Sequence, residues 1–103
     1  MPICYHIFVP VPKQIRVLVE REAMLLSEKA QNQLDVGPFS FDDLKHSLLH
    51  GEVKKKERDE QRKAKYKYTI IGPSEGGRAI YSCGKVMKVD GNIYFVITFH
   101  ETD

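Results

Sequence analysis

The sequence predicts an α+β domain of two layers, with helices from the first half covering one face of an antiparallel sheet built by the second. Three observations predict it. The last forty residues contain three apolar, strand-like stretches, Tyr66–Ile71, Arg78–Val89 and Asn92–His100, separated by turn residues. Apolar residues between Lys13 and Leu34 recur at helical spacing. Residues 40–51 carry start and stop signals for a short helix. Strands joined by short turns pair antiparallel, and helices that bury one stripe on such a sheet make two layers. A chain of 103 residues supplies one domain with one modest core.

Ile3–Val9 is rich in β-branched and aromatic residues and is expected to be the first strand, ended by Pro10 and Pro12. Lys13–Leu34 is expected to be one helix, with Ile15, Leu18, Val19, Leu25, Leu26, Ala30 and Leu34 near its apolar stripe. Gly37-Pro38 breaks the chain. Ser40 then suits an N-cap, with Asp43 three residues on as a carboxylate variant of the capping box. Phe39 and Leu44 occupy the two positions of a hydrophobic staple, and Gly51 is expected to close the helix in a left-handed cap. Val53–Ala64 is strongly charged and fits an edge strand, a loop or a helix extension. After Tyr66–Ile71, Gly72–Gly77 reads as a turn, and Asp90-Gly91 is a strong hairpin signal. In the last strand Ile93, Phe95, Ile97 and Phe99 are expected on one face, and Tyr94, Val96, Thr98 and His100 on the other. The expected order is β-α-α followed by a meander of three or four antiparallel strands.

The composition, 42% hydrophobic and 29% charged, is that of a globular protein, and no apolar run approaches the length of a membrane span. The N-terminus lacks a basic region and a small-residue cleavage site, so the expected location is the cytoplasm. Cys4 and Cys83 would then be reduced. The net charge is only +2, but residues 52–67 hold eight Lys/Arg against four acids. The positive charge is local.

His46 and His50 are four apart on a helix, a zinc-compatible spacing with no third ligand, so an exposed helix face is the better reading. No metal or cofactor is expected. Ser82-Cys83-Gly84 lies inside a strand, without the strand-to-helix turn of a nucleophile elbow.

The blocks Phe39-Ser40-Phe41-Asp42-Asp43-Leu44, Leu48-Leu49-His50-Gly51-Glu52, Gly77-Arg78 and Val96-Ile97-Thr98-Phe99-His100-Glu101 resemble, in order and spacing, a family of small bacterial domains related to RelE-, BrnT- and MqsR-type ribonuclease toxins. The resemblance covers about residues 23–103. It implies a RelE-like fold, an mRNA target and a neutralising antitoxin, in some cases of zinc-finger type; the partners expected are RNA, the ribosome and that antitoxin. Where the family commonly has a His-Ala pair and two Arg, this chain has Lys29-Ala30, Gln33 and Gly37.

Metal-free RNA cleavage needs a base for the 2′-hydroxyl, a cation for the phosphorane and an acid for the leaving oxygen. Arg78, Tyr81, Lys85 and His100 supply those types. Arg78 is expected to hold the phosphate, His100 or Lys85 to carry the proton, and Tyr81 to position a base or the hydroxyl. Strand parity sets Tyr81 and Lys85 on one face and Arg78 and Lys88 on the other, unless a bulge near Gly84 shifts it. Lys63, Lys65, Tyr66, Lys67 and Lys88 are the candidates for tracking and stacking on an RNA strand. The function expected is that of a toxin-like, metal-independent endoribonuclease. Its rivals are a non-catalytic RNA- or ribosome-binding module, a protein-interaction domain, or, for the residues alone, a solvated charged sheet face.

Overall fold

The computed structural model describes residues 9–58, 66–88 and 90–102. The described elements run α1 (Lys13–Glu20), β1 (Met24–Leu26), α2 (Glu28–Val36), α3 (Phe41–His50), β2 (Glu52–Arg58), β3 (Tyr66–Pro73), β4 (Ala79–Lys88) and β5 (Asn92–Glu101). The strands form one mixed sheet in the order β1-β5-β4-β3-β2, antiparallel except for the β1–β5 pair. The expected strand Ile3–Val9 lies outside the described residues apart from Val9. The carbonyl of Val9 accepts from the Val53 amide at 2.8 Å, and Pro10 bridges to Glu52.

The single helix expected over Lys13–Leu34 is two helices with a strand between them. Glu22 takes φ 58°, the left-handed region. The Glu22 and Ala23 amides close back on the carbonyls of Val19 and Leu18, the paired bonds of a Schellman stop. That position usually holds glycine, so an interior glutamate gave no stop signal. Met24–Leu26 then pairs parallel to Tyr94–Val96. Ser27 restarts the helix as N-cap, its hydroxyl accepting from the Ala30 amide at 3.0 Å.

The third helix follows its signals. Ser40 and Asp43 form the reciprocal capping box, and Phe39 and Leu44 are both buried. Gly51, however, is extended (φ −90°, ψ −170°), not left-handed. Its role is packing. A Cβ on Gly72 would lie 2.1 Å from the Ser47 carbonyl oxygen, and one on Gly51 2.7 Å from that of Ile71. Two glycines let α3 lie directly on β3.

The core is a single cluster between helices and sheet: Val11, Ile15, Leu18, Val19, Ala30, Phe39, Leu44, Leu48, Ile70, Ile80, Tyr94, Val96 and Phe99. Burying each large aliphatic side chain contributes about 1.5–3 kcal/mol. Tyr94 is fully buried, and a Cβ on Gly84 would fall 2.5 Å from its hydroxyl. The phenol takes the space that the missing side chain leaves.

β5 carries a bulge that reverses part of the expected facing. Gly84 pairs with Val96 but Cys83 pairs with Thr98, so Ile97 is the extra residue. Phe99 therefore joins Tyr94 and Val96 on the helix side, and His100 turns to the open face. Side chains from α2 satisfy the backbone at this edge. Ser27 donates its hydroxyl to the Ile97 carbonyl at 2.5 Å, and the Gln33 carboxamide oxygen accepts from Thr98 Oγ1 and from the Phe99 amide, both at 3.0 Å.

Candidate nucleic-acid interface

The sheet has two ends, and the predicted site residues divide between them. At one end are the β3–β4 turn and the end of β5. Tyr81 and His100 are cross-strand partners there on the open face, rings stacked at 4.8 Å and 19°. His100 Nδ1 lies 2.9 Å from the Glu101 carbonyl oxygen. A carbonyl only accepts, so Nδ1 donates to it.

Arg78 does not join that pair. Its guanidinium grips Glu101 with both prongs, Nε to Oε2 at 2.6 Å and a second, shorter contact, and it lies 5.3 Å from the Phe39 ring on the helix side. The bond to Glu101 raises its pKa further above the usual arginine value. A phosphate would have to displace a bidentate carboxylate. Lys85 shares the open face with Tyr81 as parity predicts, but four residues along a strand separate their backbones by roughly 13 Å. Lys85 is also only 6% exposed. The expected quartet is thus one stacked pair with its two cations elsewhere.

Cys83, between them on the open face, has its thiol pushed up by burial, opposed by Lys67 and Lys85. It is not an activated nucleophile. The other groups of this end are committed to structure. His46 Nδ1 donates to the Pro73 carbonyl at 2.9 Å, with the His50 ring 4.4 Å away. The Asp43 carboxylate accepts from the Ser40 and Glu75 amides at 2.9 and 3.0 Å, which hold its pKa below the usual range. No group of three metal-ligating side chains occurs among the described residues.

The opposite end is built from the close of β2, the start of β3 and the β4–β5 turn. Of the stretch Val53–Ala64, the part described forms β2 over Glu52–Arg58, the outermost strand among the described residues, with a bulge at Lys54, and residues 59–64 lie outside the described residues. Lys56 pairs with Tyr68 and Arg58 with Tyr66, so all four share the helix-side face. The Lys56 ammonium sits 4.2 Å from the Tyr66 ring centroid and 5.9 Å from that of Tyr68. Tyr68 packs on the core while Tyr66 is 40% exposed. Lys54 and Lys55 are paired with Glu52 and Glu57, but Lys56 and Arg58 form no ion pair with a described residue.

Lys67 projects to the other face, opposite Lys85 and Glu57, and so separates from Tyr66. Lys88 is exposed at the end of β4 on the same face as Tyr66. Lys63 and Lys65 lie outside the described residues. Lys56 and Arg58 lie inside the basic window that the sequence marks, but were not singled out within it. Their signal, parity with Tyr66 and Tyr68 across a hairpin, becomes readable only once Glu52–Arg58 is known to be a strand.

Comparison of the chain with protein-family models, curated proteins and solved structures gave no match. No helix among the described residues is long and apolar enough to cross a membrane.

Proposed function

We propose that this domain binds single-stranded RNA on the surface made by Lys56, Arg58, Tyr66, Tyr68 and Lys88. The observation that carries the reading is the Lys56 ammonium over an exposed Tyr66 ring. A half-exposed ring beside a cation with no ion pair among the described residues provides what a nucleotide needs, an aromatic surface for the base and a charge for the phosphate. Base-on-aromatic stacking contributes about 1–3 kcal/mol and tolerates any sequence. With three cations meeting phosphates, log affinity should fall against log salt with a slope of about −2. Fluorescence anisotropy with a labelled oligouridylate tests it. Tyr66→Ala should weaken binding about tenfold or more. Unchanged affinity refutes the reading.

A second reading has its own observation. The stacked Tyr81–His100 pair on the open face would supply the proton carrier of a RelE-like, metal-independent mRNA endonuclease, which would act near the ribosome and be held in check by an antitoxin. Its cation would have to be Arg78 released from Glu101. Expression of the chain alone and with its neighbouring gene, scoring growth and RNA integrity, tests this reading. Toxicity and cleavage lost in His100→Ala support it, and intact RNA with normal growth refutes it.

A further inference from the structure

A groove of about 470 Å³ lies between α1 and the start of β5, lined by Lys13, Gln14, Val17, Leu18, Arg21 and Asn92. Its lining has three kinds of chemistry. Lys13 and Arg21 bring positive charge, and neither forms an ion pair with a described residue. None of the six residues is acidic. Gln14 and Asn92 offer carboxamides, each able to donate and accept. Val17 and Leu18 make an apolar wall, and Leu18 is nearly buried against the core. The first turn of α1 holds no acid, so the positive helix end near Lys13 is uncompensated. An anion with a flat heterocycle meets each of these in turn: phosphate at the cations, a base edge at the carboxamides, the ring against the aliphatic wall. The volume suits one nucleotide.

We propose that this groove is a nucleotide subsite, which binds a ribonucleotide through its phosphate. In the RNA-binding reading it takes a nucleotide of the strand that crosses the Tyr66 platform, and to that extent it rests on that reading. Asn92 pairs with Lys88, and β5 is two strands from β3. Two strand spacings are roughly 10 Å, a gap that a short single strand spans. Lys88, on β4, lies between β3 and Asn92 in the sheet.

Amide spectra of the labelled full chain test the subsite directly. Uridine 5′-monophosphate should shift the amides of residues 13–21 and Asn92, and uridine at the same concentration should shift them much less. Lys13→Glu with Arg21→Glu should abolish those shifts, and Lys13→Gln with Arg21→Gln should weaken them, with the rest of the spectrum unchanged as the check on folding. If the monophosphate leaves these amides in place, the inference is overturned. Oligouridylates of about four and about twelve nucleotides, within the range of such platforms, identify the source. The Glu pair should weaken the longer oligomer about tenfold and the shorter less than twofold. Monophosphate shifts without binding of either oligomer keep the subsite, for free nucleotide, and refute the RNA reading. Loss of RNA binding in Tyr66→Ala, with no monophosphate shifts in the wild-type chain, does the reverse.

Discussion

The two ends of the sheet hold similar side chains and use them in opposite ways. At the β3–β4 turn, Arg78 is clamped by Glu101, His46 by the Pro73 carbonyl, and Asp43 by two amides. At the close of β2 and along α1 beside the start of β5, Lys56, Arg58, Lys13 and Arg21 form no ion pair with a described residue. A charge satisfied within the fold helps hold the fold. A charge left over a ring or along a groove is available to an incoming anion. The contrast separates two residues of the same type, since Arg78 and Lys56 are both basic, both near aromatics and both exposed.

The sharpest way to break the contrast is at the packed end. Gly72→Ala forces a Cβ to 2.1 Å from the Ser47 carbonyl. It should cost about 3 kcal/mol or more in urea denaturation, with the RNA affinity of the folded fraction unchanged. Gly84→Ala, which drives a methyl into the Tyr94 phenol, should cost a similar amount. At the other end, Lys56→Ala combined with Tyr66→Ala should reverse the pattern. RNA affinity falls more than tenfold, and stability moves by less than about 0.5 kcal/mol. Ser40→Ala should cost about 1 kcal/mol through the lost cap and leave binding alone.

The smallest effect is in pH. Asp43 has its pKa lowered by the Ser40 amide, then the Glu75 amide, so the stabilisation is present above the ordinary carboxylate range. It is lost as pH falls through the lower folded value. The acid limb of a stability profile should therefore flatten in Asp43→Asn. Arg78→Ala should change RNA affinity less than twofold, because its guanidinium is already engaged.

Much of the fold was legible where local chemistry acts alone. The Ser40–Asp43 box and the Asp90-Gly91 turn, with φ of 50° and 108°, formed as their residues require. What escaped was set by tertiary pairing. A glutamate in the left-handed region split the first helix, and the Met24–Leu26 strand exists only because β5 offers an edge. The bulge at Ile97 turned His100 to Tyr81 and Phe99 into the core, and Gln33 and Ser27 on α2 hold that bulge from a distance in sequence. Of the site, residue types were legible but groupings were not. Tyr81 and Lys85 share their predicted face, yet Arg78 belongs to Glu101 and Tyr66 belongs with Lys56. Gln33 serves the backbone of β5.

The footprint of an oligouridylate on the amides of the labelled chain tests the central claim most directly. Binding at the unpartnered end should move Lys56, Arg58, Tyr66, Tyr68 and Lys88 and leave Arg78, Tyr81 and His100 in place. Shifts centred on Tyr81, His100 and Arg78, with the Tyr66 region unmoved, would contradict the account.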